Sequence, residues 1–123
     1  MRIGLLADLH ANREAVEACV EALQALACRR WVVLGDLVGY GADPAWVVDW
    51  AGEQVAAGAI AVLGNHDQAV IAGDLLSMSP AIGAATAWTR SELDARMPGR
   101  QANGRMSPIA WRRPAACSPR RRG

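Results

Sequence analysis

The sequence has no lysine and no phenylalanine, and only two of its 123 residues are histidine. Without lysine it cannot be a receiver-type signalling domain, which needs one opposite its phosphorylated aspartate. Its three cysteines, Cys19, Cys28 and Cys117, form no C-x-x-C pair. So sparse and odd a set excludes a disulfide framework and points to a reducing compartment. Cys19 is expected to be a small buried hydrophobe. No uncharged apolar run is long enough to span a bilayer. After Arg2 the first apolar run ends at Ala7, too short for the core of a secretory signal. The chain is therefore expected to be cytoplasmic, with no membrane partner.

The residues present describe one folded domain: 52% are hydrophobic and 20% charged. The formal net charge of +1 conceals a division. All 12 acids lie in residues 1–97, and residues 98–123 carry arginine but no acid. That tail is rich in Arg, Pro, Ala, Gly and Ser and has no usable period, so it is expected to be disordered. With Trp111 as its one aromatic, it lacks the interleaved rings of a stacking surface, which argues against nucleic acid. Its composition also resembles out-of-frame translation of a GC-rich gene. A frameshift near residue 98 is the expectation, and the nucleotide sequence tests it.

Three short apolar runs, 2–7, 30–35 and 59–64, read as buried strands. Between the first two, Asn12 can cap a helix whose stripe is Val16, Cys19, Val20, Leu23 and Leu26. Pro44 suits the first turn of a helix over roughly 45–57. A short helix closed by Gly73 follows the third run, and a longer one extends from Ser79-Pro80 to about Met97. Trp31, Trp46, Trp50 and Trp88 are assigned to the core, and Tyr40 to loop packing. The order β-α-β-α-β-α is α/β and implies a parallel sheet with right-handed crossovers. Strands this continuously apolar call for cover on both faces.

Each strand ends in groups that bind or move charge. The first ends in Ala-Asp-Leu-His (Asp8, His10), the second in Gly-Asp (Asp36), the third in Gly-Asn-His-Asp (Asn65, His66, Asp67). Asp8 to Asp36 is 28 residues and Asp36 to Asn65 is 29, each about one βαβ unit. Every crossover therefore returns a polar group to the same sheet edge, where open α/β folds place their sites. Asp8 and His10, two apart, are expected to point the same way from extended chain. Carboxylate, imidazole and amide oxygen together suit Mn, Fe or Zn better than calcium. A central carboxylate can bridge two such ions. His66, held by Asp67, can donate a proton to a phosphoryl oxygen or leaving group. Any one of Asp8, Asp36 and Asn65 alone would be explained as a helix cap or Asx turn. Three in order, with His10 and His66 attached, are not. The dipeptide His66-Asp67 also occurs in HD-type phosphohydrolases, but those sites are built on helices and each motif here follows a strand.

D-x-H, then G-D-x-V-G-Y-G, then G-N-H-D resembles the opening signature of the calcineurin-like metallophosphoesterases. "DLHANREAVEACVEAL", "GDLVGYGADP" and "AAxAWTRSEL" (84–93) are most similar to a bacterial branch described as phosphoesterases or serine/threonine-phosphatase-like proteins. The resemblance covers about residues 1–97.

It implies a fold, an α-β-β-α sandwich of which residues 1–97 are the first half. It also implies an activity, hydrolysis of a phosphate mono- or diester by a metal-bound hydroxide at a dinuclear centre of Mn, Fe, Zn or Ni. Asp8 and His10 would hold the first metal, Asp36 would bridge, and Asn65 would bind the second. His66 would act on substrate, oriented by Asp67. Gly35, Gly39, Gly41 and Gly64 would let the backbone turn beside the metals. The substrate would be a phosphorylated small molecule, a nucleotide or a phosphoprotein. The family's later histidine ligands have no counterpart, because no histidine follows His66. This chain is thus expected to be a truncated form that holds at most one ion weakly. The alternative is a non-catalytic fragment that binds metal weakly or associates with other chains through its uncovered sheet face.

Overall fold

Ile3–Leu6 forms strand β1, Arg30–Val33 β2 and Ile60–Val62 β3, each inside one of the three apolar runs. A computed structural model of the chain describes residues 1–73 and 79–95 together with the backbone of 111–112. The rest of the tail, with Cys117 and the proposed frameshift point, lies outside the described residues. The helices are α1 (Arg13–Ala25), α2 (Pro44–Ala56), α3 (Asn65–Ala72) and α4 (Pro80–Ala95). Asn12 caps α1, its Oδ1 accepting the Ala15 N–H at 3.0 Å. Pro44 opens α2, and Gly73 closes α3 in the left-handed conformation at φ 70°.

The strands are parallel and lie in chain order, β1-β2-β3-β4. The last of these, β4 (Trp111–Arg112), pairs with β3 through Ala61↔Trp111 and Val62↔Arg112. Its two residues sit in the segment expected to be irregular. So short a strand leaves no period to read in the sequence.

A sheet that grows in one direction by right-handed crossovers receives all of its helices on one side. Leu6, Val33 and Ala61 are in register across β1, β2 and β3, and all three are buried. They face Val16 of α1, the apolar side of α2 and Leu93 of α4 in a single core. The adjacent row, Leu5, Val32 and Ile60, is in register on the opposite face. There Leu5 is 63% exposed, Ile3 47%, Leu34 50% and Ile60 39%. The continuous apolar strands call for cover on both faces, and the described residues supply one.

Two assignments made from periodicity need correction. Cys19 is exposed, as is Leu26, although both lie on the stripe of α1. Helix α1 accompanies the edge strand and has α2 on one side only among the described elements, so Val16, Val20 and Leu23 reach the core while Cys19 and Leu26 stay at the surface. Trp88 is 44% exposed on α4, whereas Trp46 and Trp50 pack against the core. Among the described residues no helix is long and apolar enough to cross a membrane.

Candidate metal centre

The residues that end β1, β2 and β3 are tied to one another by backbone hydrogen bonds. The loop after β1 donates to the loop after β2 through Asp8 N–H to Gly35 O (3.3 Å), His10 N–H to Asp36 O (2.9 Å) and Ala11 N–H to Leu37 O (2.8 Å). Leu37 and Val38 are fully buried and anchor the second loop in the core. Two carboxylates join the second loop to the third in opposite senses. Asp36 Oδ1 accepts the His66 N–H at 3.0 Å, and Asp67 Oδ1 accepts the Val38 N–H at 3.2 Å. Asp36 thus satisfies an otherwise free amide at the positive end of α3 from a different loop.

Close approach requires glycine at several points, two of them against the site's own side chains. A Cβ on Gly64 would lie 2.1 Å from Asp36 Oδ1 and 2.3 Å from its backbone nitrogen. Gly39, at φ +99°, leaves room for the His66 ring, whose Nδ1 would be 2.9 Å from an added Cβ. The backbone departs further from regular geometry at the site residues themselves. Asp8 (φ 53°), His10 (44°), Ala11 (55°), Asp36 (53°) and Tyr40 (63°) are all left-handed. Each costs about 1–2 kcal/mol in an L-residue and persists because the surrounding bonds hold it.

This packing brings His10, Asp36 and His66 together: one ligand atom from each lies within 4.8 Å of the others. Asp8 stands beside them, its Oδ1 3.7 Å from His10 Nε2, with its side chain 70% exposed. The two do meet, but through a left-handed turn and not by sharing a face of extended chain. Asn65 is exposed and is the first residue of α3, next to His66. The His10 Nδ1 lies 3.1 Å from Val38 O, which makes Nδ1 the protonated nitrogen and leaves the Nε2 lone pair free.

Tyr40 belongs to the site as well, although the sequence marks it only as a loop residue. Its ring centroid is 4.9 Å from those of His10 and His66, and the imidazoles are 5.0 Å apart. Yet Tyr40 is 59% exposed, so it is not packing in the ordinary sense. Its glycine-flanked position in Gly-Tyr-Gly was the available clue.

Asp67 is placed differently from expectation. Its Oδ2 accepts the Gly64 N–H at 3.0 Å, the back-bond of a capping box, while Oδ1 takes Val38. Both oxygens serve the backbone of two loops, not the His66 ring. Burial raises its pKa from 3.8 to about 6, with a further upward push from the Asp36 charge, against the lowering effect of the Gly64, Val38 and Asp36 backbone amides.

The family model of the calcineurin-like phosphoesterases matches residues 1–117. The chain belongs to the calcineurin-like phosphoesterases. The match runs past Met97, so likeness to this family continues into the arginine-rich tail. The chain is also similar to an uncharacterized protein, MJ0912, of Methanocaldococcus jannaschii, at 33% identity over 89 residues, 72% of this chain and 35% of that protein. Among solved structures it resembles a metallophosphoesterase from Sphaerobacter thermophilus, with a TM-score of 0.64 and 32% identity over 91% of this chain and 42% of the other. The chain therefore spans less than half the length of either relative. Members of the family bind divalent metals, and the donors here fit one. The His10 imidazole, already oriented by a carbonyl, and the Asp36 carboxylate are donors suited to a borderline transition ion, and the His66 ring lies within 4.8 Å of both.

Proposed function

We propose that the cluster serves metal-dependent hydrolysis of a phosphate mono- or diester, at a dinuclear centre formed when the ligand set is complete. The observation that carries this reading is the convergence of His10, Asp36 and His66 within 4.8 Å at the carboxyl ends of three neighbouring parallel strands. His10 and Asp36 would hold an ion, with Asp8 and Asn65 as oxygen donors at the rim. When bound, a divalent ion supplies Lewis-acid polarisation of a phosphoryl oxygen and lowers the pKa of water. His66 donates a hydrogen bond, then a proton, to the leaving-group oxygen. Asp36 keeps that residue in place through its backbone amide, and Asp67 fixes the loops on either side. The metal would be Mn, Fe, Zn or Ni, and the substrate a phosphorylated small molecule, nucleotide or phosphoprotein.

With no histidine beyond His66, this chain is expected to hold one ion weakly and to turn over an aryl phosphate near background. Calorimetry with Mn²⁺ tests the assignment. His10→Gln should lower affinity at least tenfold. His66→Gln should leave Mn²⁺ affinity within about threefold but weaken inorganic phosphate binding to the loaded chain. A wild-type chain that binds no Mn²⁺ refutes the reading, and a His66→Gln variant that loses the metal makes His66 a ligand.

The bare sheet face, with Leu5 63% exposed, favours a second reading in which the chain is non-catalytic and pairs with other chains. Sedimentation alongside the turnover assay separates the two.

A further inference from the structure

A cleft of about 740 Å³ opens beside the metal cluster, walled by residues 6–12, 14–16 and 40–43 and by Cys19. This volume accommodates a small molecule. Asp8, His10 and Tyr40 belong to the cleft and to the site at once, so whatever occupies one abuts the other. The charged side chains along it are Asp8, Glu14 and Asp43, and among the described residues no arginine lines it. The remaining wall is largely small and apolar, with Ala15, Cys19 and Ala42 among its members.

Resting on the phosphoesterase reading, we propose that this cleft receives the leaving-group end of the ester, and that the leaving group is an uncharged aromatic alcohol held against the ring of Tyr40. The phosphoryl charge belongs at the metal cluster. With Asp8 committed to the metal, a leaving group with its own carboxylate or further phosphates would meet the carboxylates of Glu14 and Asp43 and no arginine in the cleft lining to balance it. A short aliphatic alcohol would leave most of the cleft empty. Tyr40 supplies the positive selection. Its ring is fixed by two imidazoles at 4.9 Å and still more than half exposed, which leaves aromatic surface for a ligand ring. Hydrolysis of such an ester forms one P–O bond from water and breaks the P–O bond to the aromatic alcohol. The alcohol leaves with a proton, the phosphate keeps the oxygen of water, and no redox partner is involved.

Three phosphonates, which bind but are not hydrolysed, test this on the Zn²⁺-loaded chain by calorimetry. Phenylphosphonate should bind up to about tenfold more tightly than methylphosphonate. 4-Carboxyphenylphosphonate should fall back toward the methyl compound. In Tyr40→Ala the phenyl-to-methyl ratio should collapse to about one, and in Tyr40→Phe it should persist. Equal affinity of the wild-type chain for phenyl and methyl, or a preference that survives Tyr40→Ala, overturns the proposal and leaves the phosphoesterase reading standing. If neither phosphonate binds, the phosphoesterase reading fails and takes the proposal with it.

Discussion

Asp67 holds two loops with one carboxylate, and its titration gives that role a measurable signature. In the metal-free chain its pKa is about 6, against 3.8 for an unperturbed side chain. Between those values the native state keeps a proton that the unfolded state has released. Stability therefore falls as pH rises from about 4 to about 6 and is level with respect to this group above that window. Urea midpoints across the range should show the slope, and Asp67→Asn should abolish it. Asparagine also presents N–H₂ where Val38 or Gly64 needs an acceptor, so the variant should be about 1–3 kcal/mol less stable above pH 6. Gly64→Ala forces a methyl onto Asp36, and thermal unfolding should show a loss of about 1–3 kcal/mol or more together with loss of Mn²⁺ binding. At this scale the motif residues were legible because their types and spacing carry the chemistry. The left-handed turns at Asp8, His10 and Asp36, and the placement of Tyr40 between two imidazoles, were not. They arise from hydrogen bonds between loops about 28 residues apart, such as His10 to Val38, which local sequence does not encode.

Helices and strands follow local rules more closely. Asn12 caps α1 as its sequence position suggests, and Asn12→Ala should reduce stability by about 0.5–2 kcal/mol in urea unfolding, with the site's ring contacts intact. Helix α3 departs from that pattern. Gly64 precedes it and offers no side chain, so its N-terminus depends on Asp36 from the β2 loop and on its own Asp67. Removing the Asp36 carboxylate therefore uncaps a helix as well as deleting a proposed metal donor. The three main strands were readable from their apolar runs, and the helices ended within a residue or two of expectation. The burial pattern of α1 was not readable, because Cys19 and Leu26 lie at helical spacing yet face no neighbour. Periodicity identifies the face a helix would bury. Whether another element arrives there is a property of the whole fold.

At the scale of the molecule, the described residues cover the sheet on one side. Ile3, Leu5, Leu34 and Ile60 form an apolar face opposite the helices. The chain spans 42% of the Sphaerobacter thermophilus metallophosphoesterase. Sedimentation at rising concentration should show self-association, and Leu5→Lys, at a position 63% exposed, should shift the population toward monomer without disturbing Mn²⁺ affinity. The strand order has a different consequence, for the time course of folding. Every described strand pairs with the one next in sequence, at separations of 27–28 residues for β1–β2 and β2–β3 and 50 for β3–β4, so the first two pairings can form before the third. The chain can grow its sheet in the direction of synthesis, β1 receiving β2 and β2 receiving β3, as domains do when they fold on the ribosome. His10, Asp36 and His66 would then come together in the order in which they are made, through strand pairings that involve no residue beyond Val62.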